Sequence, residues 1–154
     1  MVDMKTLIVY ASVSHGNTEK VAKAIAEVLG ADIMEAKAVD PLIVRNYDLI
    51  GFGSGIFYGK FHAGLLKLVG SLPTSKSRAF VFSTSGFGVT DPHAKLWKVL
   101  EPKGFTKGGD FACKAWDTFA PFKLVGGINK GRPDEDDLNK AREFAKGLRS
   151  EPGP

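Results

Sequence analysis

A parallel sheet of five strands with helices on both faces is the fold class that the sequence predicts. Two observations carry it. Short apolar runs alternate with stretches of helical periodicity along the whole chain, the pattern of repeated strand–helix units. The chain is 154 residues long with 44% hydrophobic and 25% charged residues, enough to bury the core of one domain spanning residues 1–154.

The elements follow in order. Residues 5–11 are an apolar run, the first strand, and residues 19–29 repeat apolar positions at helical spacing until Gly30 stops them. Residues 31–35 read as a short second strand, and Pro41 marks a loop. Residues 47–53 form a third strand with glycine-rich sequence at its end. Residues 62–71 place Leu65, Leu66, Leu68 and Val69 on a helix that ends at Gly70 and Pro73. Residues 78–84 are a fourth strand, after which Asp91 and Pro92 open a helix as cap and first-turn proline. Residues 110–116 read as a fifth strand. A last helix opens at Arg132-Pro133-Asp134 and carries Leu138, Ala141, Phe144, Ala145 and Leu148 as one stripe. Its acidic first turn (Asp134 to Asp137) and Arg149 in its last turn suit the helix dipole.

The most informative stretch is Ser12-Val13-Ser14-His15-Gly16-Asn17-Thr18, between the first strand and its helix. The first amides of a helix point out of its N-terminus and carry the positive end of the dipole, which suits a phosphate. Ser12, Ser14 and Thr18 add hydroxyls, Gly16 permits close backbone approach, and Asn17 is placed to cap the helix. A Walker loop is excluded because Gly59-Lys60 is followed by Phe61, and a dinucleotide fingerprint because Gly51-Phe52-Gly53 leads to Ile56. The turn has no lysine or arginine, so neutral dipoles must hold the anion, with His15 as the ionisable helper.

Two further loops share that edge of the expected sheet. Strand three ends in Ser54-Gly55-Ile56-Phe57-Tyr58-Gly59, and strand four in Thr84-Ser85-Gly86-Phe87-Gly88. Each sets small or hydroxyl residues beside a large aromatic. In parallel α/β sheets ligands bind beyond the carboxyl ends of the strands, where the strand order reverses.

Together these residues resemble the flavodoxin family, from Lys5 to about Arg149, including the approach Gly127-Ile128-Asn129-Lys130-Gly131-Arg132-Pro133 to the last helix. The turn after the first strand is similar to the family's FMN phosphate loop. The other two loops are similar to those that enclose the isoalloxazine ring. The resemblance implies a flavodoxin-like doubly wound sheet of order 2-1-3-4-5, non-covalent FMN and one-electron transfer between partner proteins. With no insertion in the fifth strand it looks like the short-chain type. Carried over residue by residue, the FMN site comprises Ser12, Ser14, His15, Gly16, Asn17 and Thr18 for the phosphate. Ser54, Gly55, Ile56, Phe57, Tyr58 and Gly59 take one side of the flavin, and Thr84, Ser85, Gly86, Phe87 and Gly88 the other. The family usually has threonine where His15 stands, and tryptophan and tyrosine as ring partners; here Phe57 or Tyr58 faces Phe87.

The chain departs from most of the family in charge, with a net charge of +4 and a pI near 9.2. Dispersed lysines without an aromatic-interleaved stripe argue against nucleic acid, and Lys60 beside the flavin loop points to partners with an acidic docking face. No apolar run approaches the roughly 20 residues of a membrane span. No basic, apolar leader precedes the first strand and Cys113 is the single cysteine, so a cytoplasmic location is expected; the chain is expected to be a monomer. The rival reading keeps the fold: residues 56–62 also resemble the matching loop of flavodoxin-like protoporphyrinogen oxidases, and quinone reductases share the fold. Lys60 and His62 would then hold an anionic substrate. The compact loops favour the carrier. Cys113 reads as a strand filler, and Trp97 and Trp116 as packing residues.

Overall fold

The computed structural model describes residues 4–11, 16–115 and 131–150. Its strands are β1 (Thr6–Ala11), β2 (Asp32–Glu35), β3 (Leu49–Phe57), β4 (Lys60–Phe61), β5 (Arg78–Ser85) and β6 (Thr106–Lys114). Its helices are α1 (Asn17–Leu29), α2 (Ala63–Ser71), α3 (His93–Leu100) and α4 (Glu135–Ser150). The sheet runs β2-β1-β3-β5-β6 with all four pairings parallel, and β4 pairs antiparallel with the end of β3. With that short return strand set aside, the order is the expected 2-1-3-4-5.

Alternation along each strand sends successive side chains to opposite faces. Leu7, Val9, Ile50, Phe52 and Val81 pack with Leu65 and Leu68 of α2 and Leu96 and Trp97 of α3. Ile8, Tyr10, Leu49, Phe80 and Phe82 pack with Val21 and Ile25 of α1 and Ala141, Ala145 and Leu148 of α4. Trp97 is thus the packing residue expected, while Trp116 lies outside the described residues. On the α1/α4 face, the rings of Phe80 and Phe82 lie directly over Gly51 and Gly53 of β3. A Cβ on either glycine would come within 2.2 Å of a ring carbon. The glycines at the end of the third strand are therefore seats for two phenylalanines.

Several boundaries differ from the sequence reading. Strand β3 continues through Ile56 and Phe57, because the expected loop pairs with β4 instead of leaving the sheet. Strand β6 starts at Thr106, four residues before its expected start at 110. Ala79 faces Lys107 and Phe80 faces Gly109, so Gly108 is an extra residue in a bulge. Glycines at 108 and 109 resemble a loop in sequence, yet here the edge of the Phe144 ring would lie 3.0 Å from a Cβ at Gly109. Asn17 does not cap α1: the cap is Gly16, left-handed with φ 64°, and Asn17 is already helical. Asp91 likewise gives α3 no side-chain cap, since Pro92 takes that position in helical geometry. The loop marked by Pro41 winds into a short 3₁₀ turn (Pro41–Asn46), with the Asp40 carboxylate accepting from the Leu42 amide.

Candidate functional site

The carboxyl ends of β1, β3 and β5 are neighbours, with Ala11 beside Ser54 and Gly55 beside Thr84 in register. The chain goes from β1 to β2 on one side and returns to β3 on the other, so the order reverses between β1 and β3 at this edge. The helix start after β1 and the two aromatic loops therefore converge as expected. A buried hydrogen bond fastens the helix start to the end of β5: the Thr18 hydroxyl lies 3.0 Å from that of Thr84, across 66 residues of sequence. Ser12, Ser14 and His15 lie outside the described residues. Gly16, Asn17 and Thr18 form the start of α1, where Gly16 has no side-chain oxygen to offer the first-turn amides.

The second loop is a β-hairpin. Ile56 faces Phe61 and Phe57 faces Lys60, joined by Tyr58 and Gly59. Both turn residues have positive φ, 52° and 76°, as a type I′ turn requires. Gly59 adopts this freely, but Tyr58 is strained by roughly 1–2 kcal/mol. Its ring is 80% exposed at the hairpin tip. Phe57 folds back until its ring leaves a Cβ on Gly55 only 3.1 Å of room. Ser54 is fully buried, donating to the Gly55 carbonyl at 2.7 Å and accepting from the His62 amide at 3.0 Å, so its hydroxyl serves the hairpin. Ile56 packs against the α2/α3 core. His62 caps α2, its Nδ1 accepting from the Gly64 amide at 2.9 Å. Tyr58→Asn should raise the denaturant midpoint by an amount equal to about 1 kcal/mol, because Asn-Gly is a favoured type I′ pair. A lower midpoint would mean that the tyrosine ring stabilises the fold by more than its backbone costs.

The third loop is held by Ser85, whose hydroxyl accepts from the Gly88 amide at 2.8 Å. Gly88 has φ 63° and packs against Lys114, with 3.0 Å of room for a Cβ, so both its conformation and its space demand glycine. Gly86 is buried, and Phe87 at the loop's crest is 70% exposed. Lys60 and Lys114 are exposed beside the two loops, whereas Cys113 is buried, its thiol pushed up to about 12 chiefly by desolvation. That thiol is inert at neutral pH.

Beneath the loops lies a polar chain that the sequence did not announce. His93 is 1% exposed; its Nε2 lies 2.7 Å from the Ser83 hydroxyl and its Nδ1 2.7 Å from Asp110. The carboxylate only accepts, so Nδ1 carries the hydrogen and Nε2 accepts from Ser83. Asp110 also accepts from Trp97 Nε1 at 2.8 Å and pairs with Lys107 at 3.2 Å. Burial pushes the Asp110 carboxyl up, but the hydrogen bonds from Trp97, His93 and Lys107 outweigh it and hold it below 3.8. The Phe61 ring of β4 stacks at a tilt on His93, centroids 5.5 Å apart, so this chain props the hairpin. Ser83 is fully buried, so the Ser–His–Asp order is structural here, with no access for a substrate. Spacings of 10 and 17 residues between partners left no motif to read.

The network has a pH signature. Burial holds the His93 imidazole below its ordinary 6.5 in the folded chain. The unfolded chain then binds the extra proton first, so stability is full above about 6.5 and falls as the pH drops towards the folded value. Thermal scans between pH 7 and 5 should show this decline, and it should flatten in His93→Gln. An identical decline in the variant would assign it to other groups.

Comparison with known proteins establishes the family. A family model described as a flavodoxin domain matches residues 7–118. An uncharacterized protein of Methanocaldococcus jannaschii is 49% identical over 147 residues, covering 94% of this chain and 98% of that one. Oxidised flavodoxin 1 from Bacillus cereus superposes with a TM-score of 0.71 at 16% identity, over 97% of this chain and 100% of that one. Rubredoxin oxygen:oxidoreductase from Desulfovibrio gigas gives 0.67 at 16% identity, over 94% of this chain but 35% of that one. With the sheet order, the convergent strand ends and a family match over most of its length, the chain belongs to the flavodoxin family.

Proposed function

We propose that residues 1–154 act as one FMN-binding domain that passes single electrons between redox proteins. The observation that carries this reading is the exposure of Tyr58 and Phe87, 80% and 70%, on neighbouring loops at the point where strand order reverses. A planar ring needs two apolar faces that exclude water, and aromatic contact adds about 0.5–1.5 kcal/mol beyond area burial. Gly16, Asn17 and Thr18, with Ser12, Ser14 and His15 of the same turn, would hold the phosphate. Tyr58 with Phe57 and Phe87 would flank the ring, and Gly55, Gly59, Gly86 and Gly88 would let the backbone approach its polar edge. When bound, FMN supplies reversible one-electron chemistry, for which the protein residues provide position, dryness and charge.

The carrier role is favoured because the hairpin turns in two residues and runs almost directly into α2, leaving little chain in this loop to enclose a substrate. Lys60, Lys114 and a net charge of +4 suit partners with an acidic docking face. Among the described residues no helix is long and apolar enough to cross a membrane. The enzyme alternative, of the protoporphyrinogen oxidase or quinone reductase type, keeps the same fold and rests on the likeness of residues 56–62 to the matching loop of the former. Flavin fluorescence titrations of the flavin-free protein should give FMN an advantage over riboflavin of tenfold or more, since hydrogen bonds to a charged group contribute about 1.5–3 kcal/mol. Equal affinities would remove the phosphate from the turn. Stepwise reduction of the FMN-loaded protein should resolve two one-electron steps, whereas turnover of a quinone or porphyrinogen would establish the enzyme.

A further inference from the structure

A second polar site opens at the other edge of the sheet, where the strands begin. A groove of about 990 Å³ lies between the loop that enters β5 and the loop that enters β6. Arg45, Lys76, Arg78, Lys103 and Arg149 line it, and Asp48 is the sole carboxylate among its described lining residues. The Asp48 carboxylate already accepts from the Lys5 amide at 2.9 Å.

Three of the cations are held by carbonyl oxygens. Arg45 donates to Thr74 at 2.8 Å and Arg149 to Val28 at 2.9 Å. Lys103 donates to Leu72 at 2.6 Å and to Gly70 at 3.0 Å. A carbonyl orients a cation without cancelling its charge. The groove is also built in advance. Gly104, with φ 102°, lets its loop approach Ser75 so closely that a Cβ would lie 2.5 Å from the Ser75 carbonyl oxygen. The Ser75 amide donates to Lys103 O at 2.9 Å, and the Ser77 hydroxyl to Tyr47 O at 2.7 Å.

We infer that this groove binds a small molecule bearing two or more phosphate or carboxylate groups. Several oriented cations facing one carboxylate among the described residues make a positive potential that low-dielectric walls concentrate. Guanidinium groups match the planar, two-oxygen geometry of both anion types. The volume is that of an organic ligand site and exceeds what one inorganic ion fills. Met4, Tyr47 and Pro102 supply apolar wall for the ligand's carbon frame. The inference is independent of the flavin reading, because no residue of the proposed FMN site lines the groove.

The test is a titration of ¹⁵N-labelled protein with tripolyphosphate and, separately, citrate at constant ionic strength, followed by amide shifts. Saturable shifts at Ser75, Lys76, Ser77 and Gly104 are expected, and the anion that saturates at lower concentration identifies the favoured group. Lys76 is exposed, so Lys76→Glu should leave the fold intact and weaken binding about tenfold or more. Shifts confined to Gly16, Asn17 and Thr18, unsaturating shifts scattered over surface lysines, or equal affinity in Lys76→Glu would each overturn the proposal.

Discussion

Gly51→Ala should lower the stability of the protein by about 3 kcal/mol, the upper end of overpacking costs in a dense core. The added methyl would sit 2.2 Å from the Phe80 Cζ, well inside the 3.5–4.0 Å of a normal carbon contact. Neither side has slack: Gly51 pairs with Ile8 on one flank and with Phe80 on the other, and Phe80 is fully buried against Phe144. Gly53→Ala, under the Phe82 ring, should behave alike. For a chain of this size the loss corresponds to a fall in Tm of roughly 6–12 °C. Gly51→Ala combined with Phe80→Leu should recover part of it. A loss below about 0.5 kcal/mol in both single variants would show that the rings can leave the glycines cheaply.

Asp137→Ala is expected to cost about 2–3 kcal/mol. Asp137 is 2% exposed and accepts from Nε and Nη2 of the Arg132 guanidinium, one on each carboxylate oxygen. It also accepts from the Asp134 amide at 2.9 Å, while the Asp134 carboxylate accepts from the Asp137 amide at 3.0 Å. This reciprocal pair is a capping box built from two aspartates. Removing a buried partner of an ion pair costs about 3–5 kcal/mol, but the Arg132 side chain is 34% exposed and water can take up part of its charge. Arg132 first, then the Asp134 hydrogen bonds, hold the Asp137 carboxyl below its ordinary 3.8 against the opposing effect of burial. Its stabilisation is therefore complete above that value and lost as the pH falls through the lower folded one. Urea titrations at pH 7 and near pH 3 should show a smaller difference between wild type and Asp137→Ala in acid. A difference that does not shrink would separate the aspartate's role from its charge.

Much of this was legible without coordinates, and the rest failed for identifiable reasons. The alternation of apolar runs with 3.6-residue periodicity determined the fold class and placed all four helices to within a few residues. The hydroxyl-rich turn and two glycine–aromatic loops marked the candidate site because each sits at the end of an apolar strand, a local pattern. Their convergence followed from one topological rule. By contrast, Ser54 read as a site hydroxyl because sequence does not show which face a strand-end side chain takes; the hairpin to β4 turns it inward. Asn17 looked like a cap because residue type favours it, but the left-handed Gly16 moved the boundary by one place. Gly108 and Gly109 looked like loop because glycine weakens strands, and only the packing of the Ala79 carbonyl against Gly108 and of the Phe144 ring against Gly109 explains their use. The Thr18–Thr84 bond, the His93 chain and the basic groove join residues far apart in the chain. Periodicity reports what each segment must bury, whereas contacts between distant polar groups are decided by the geometry of packing.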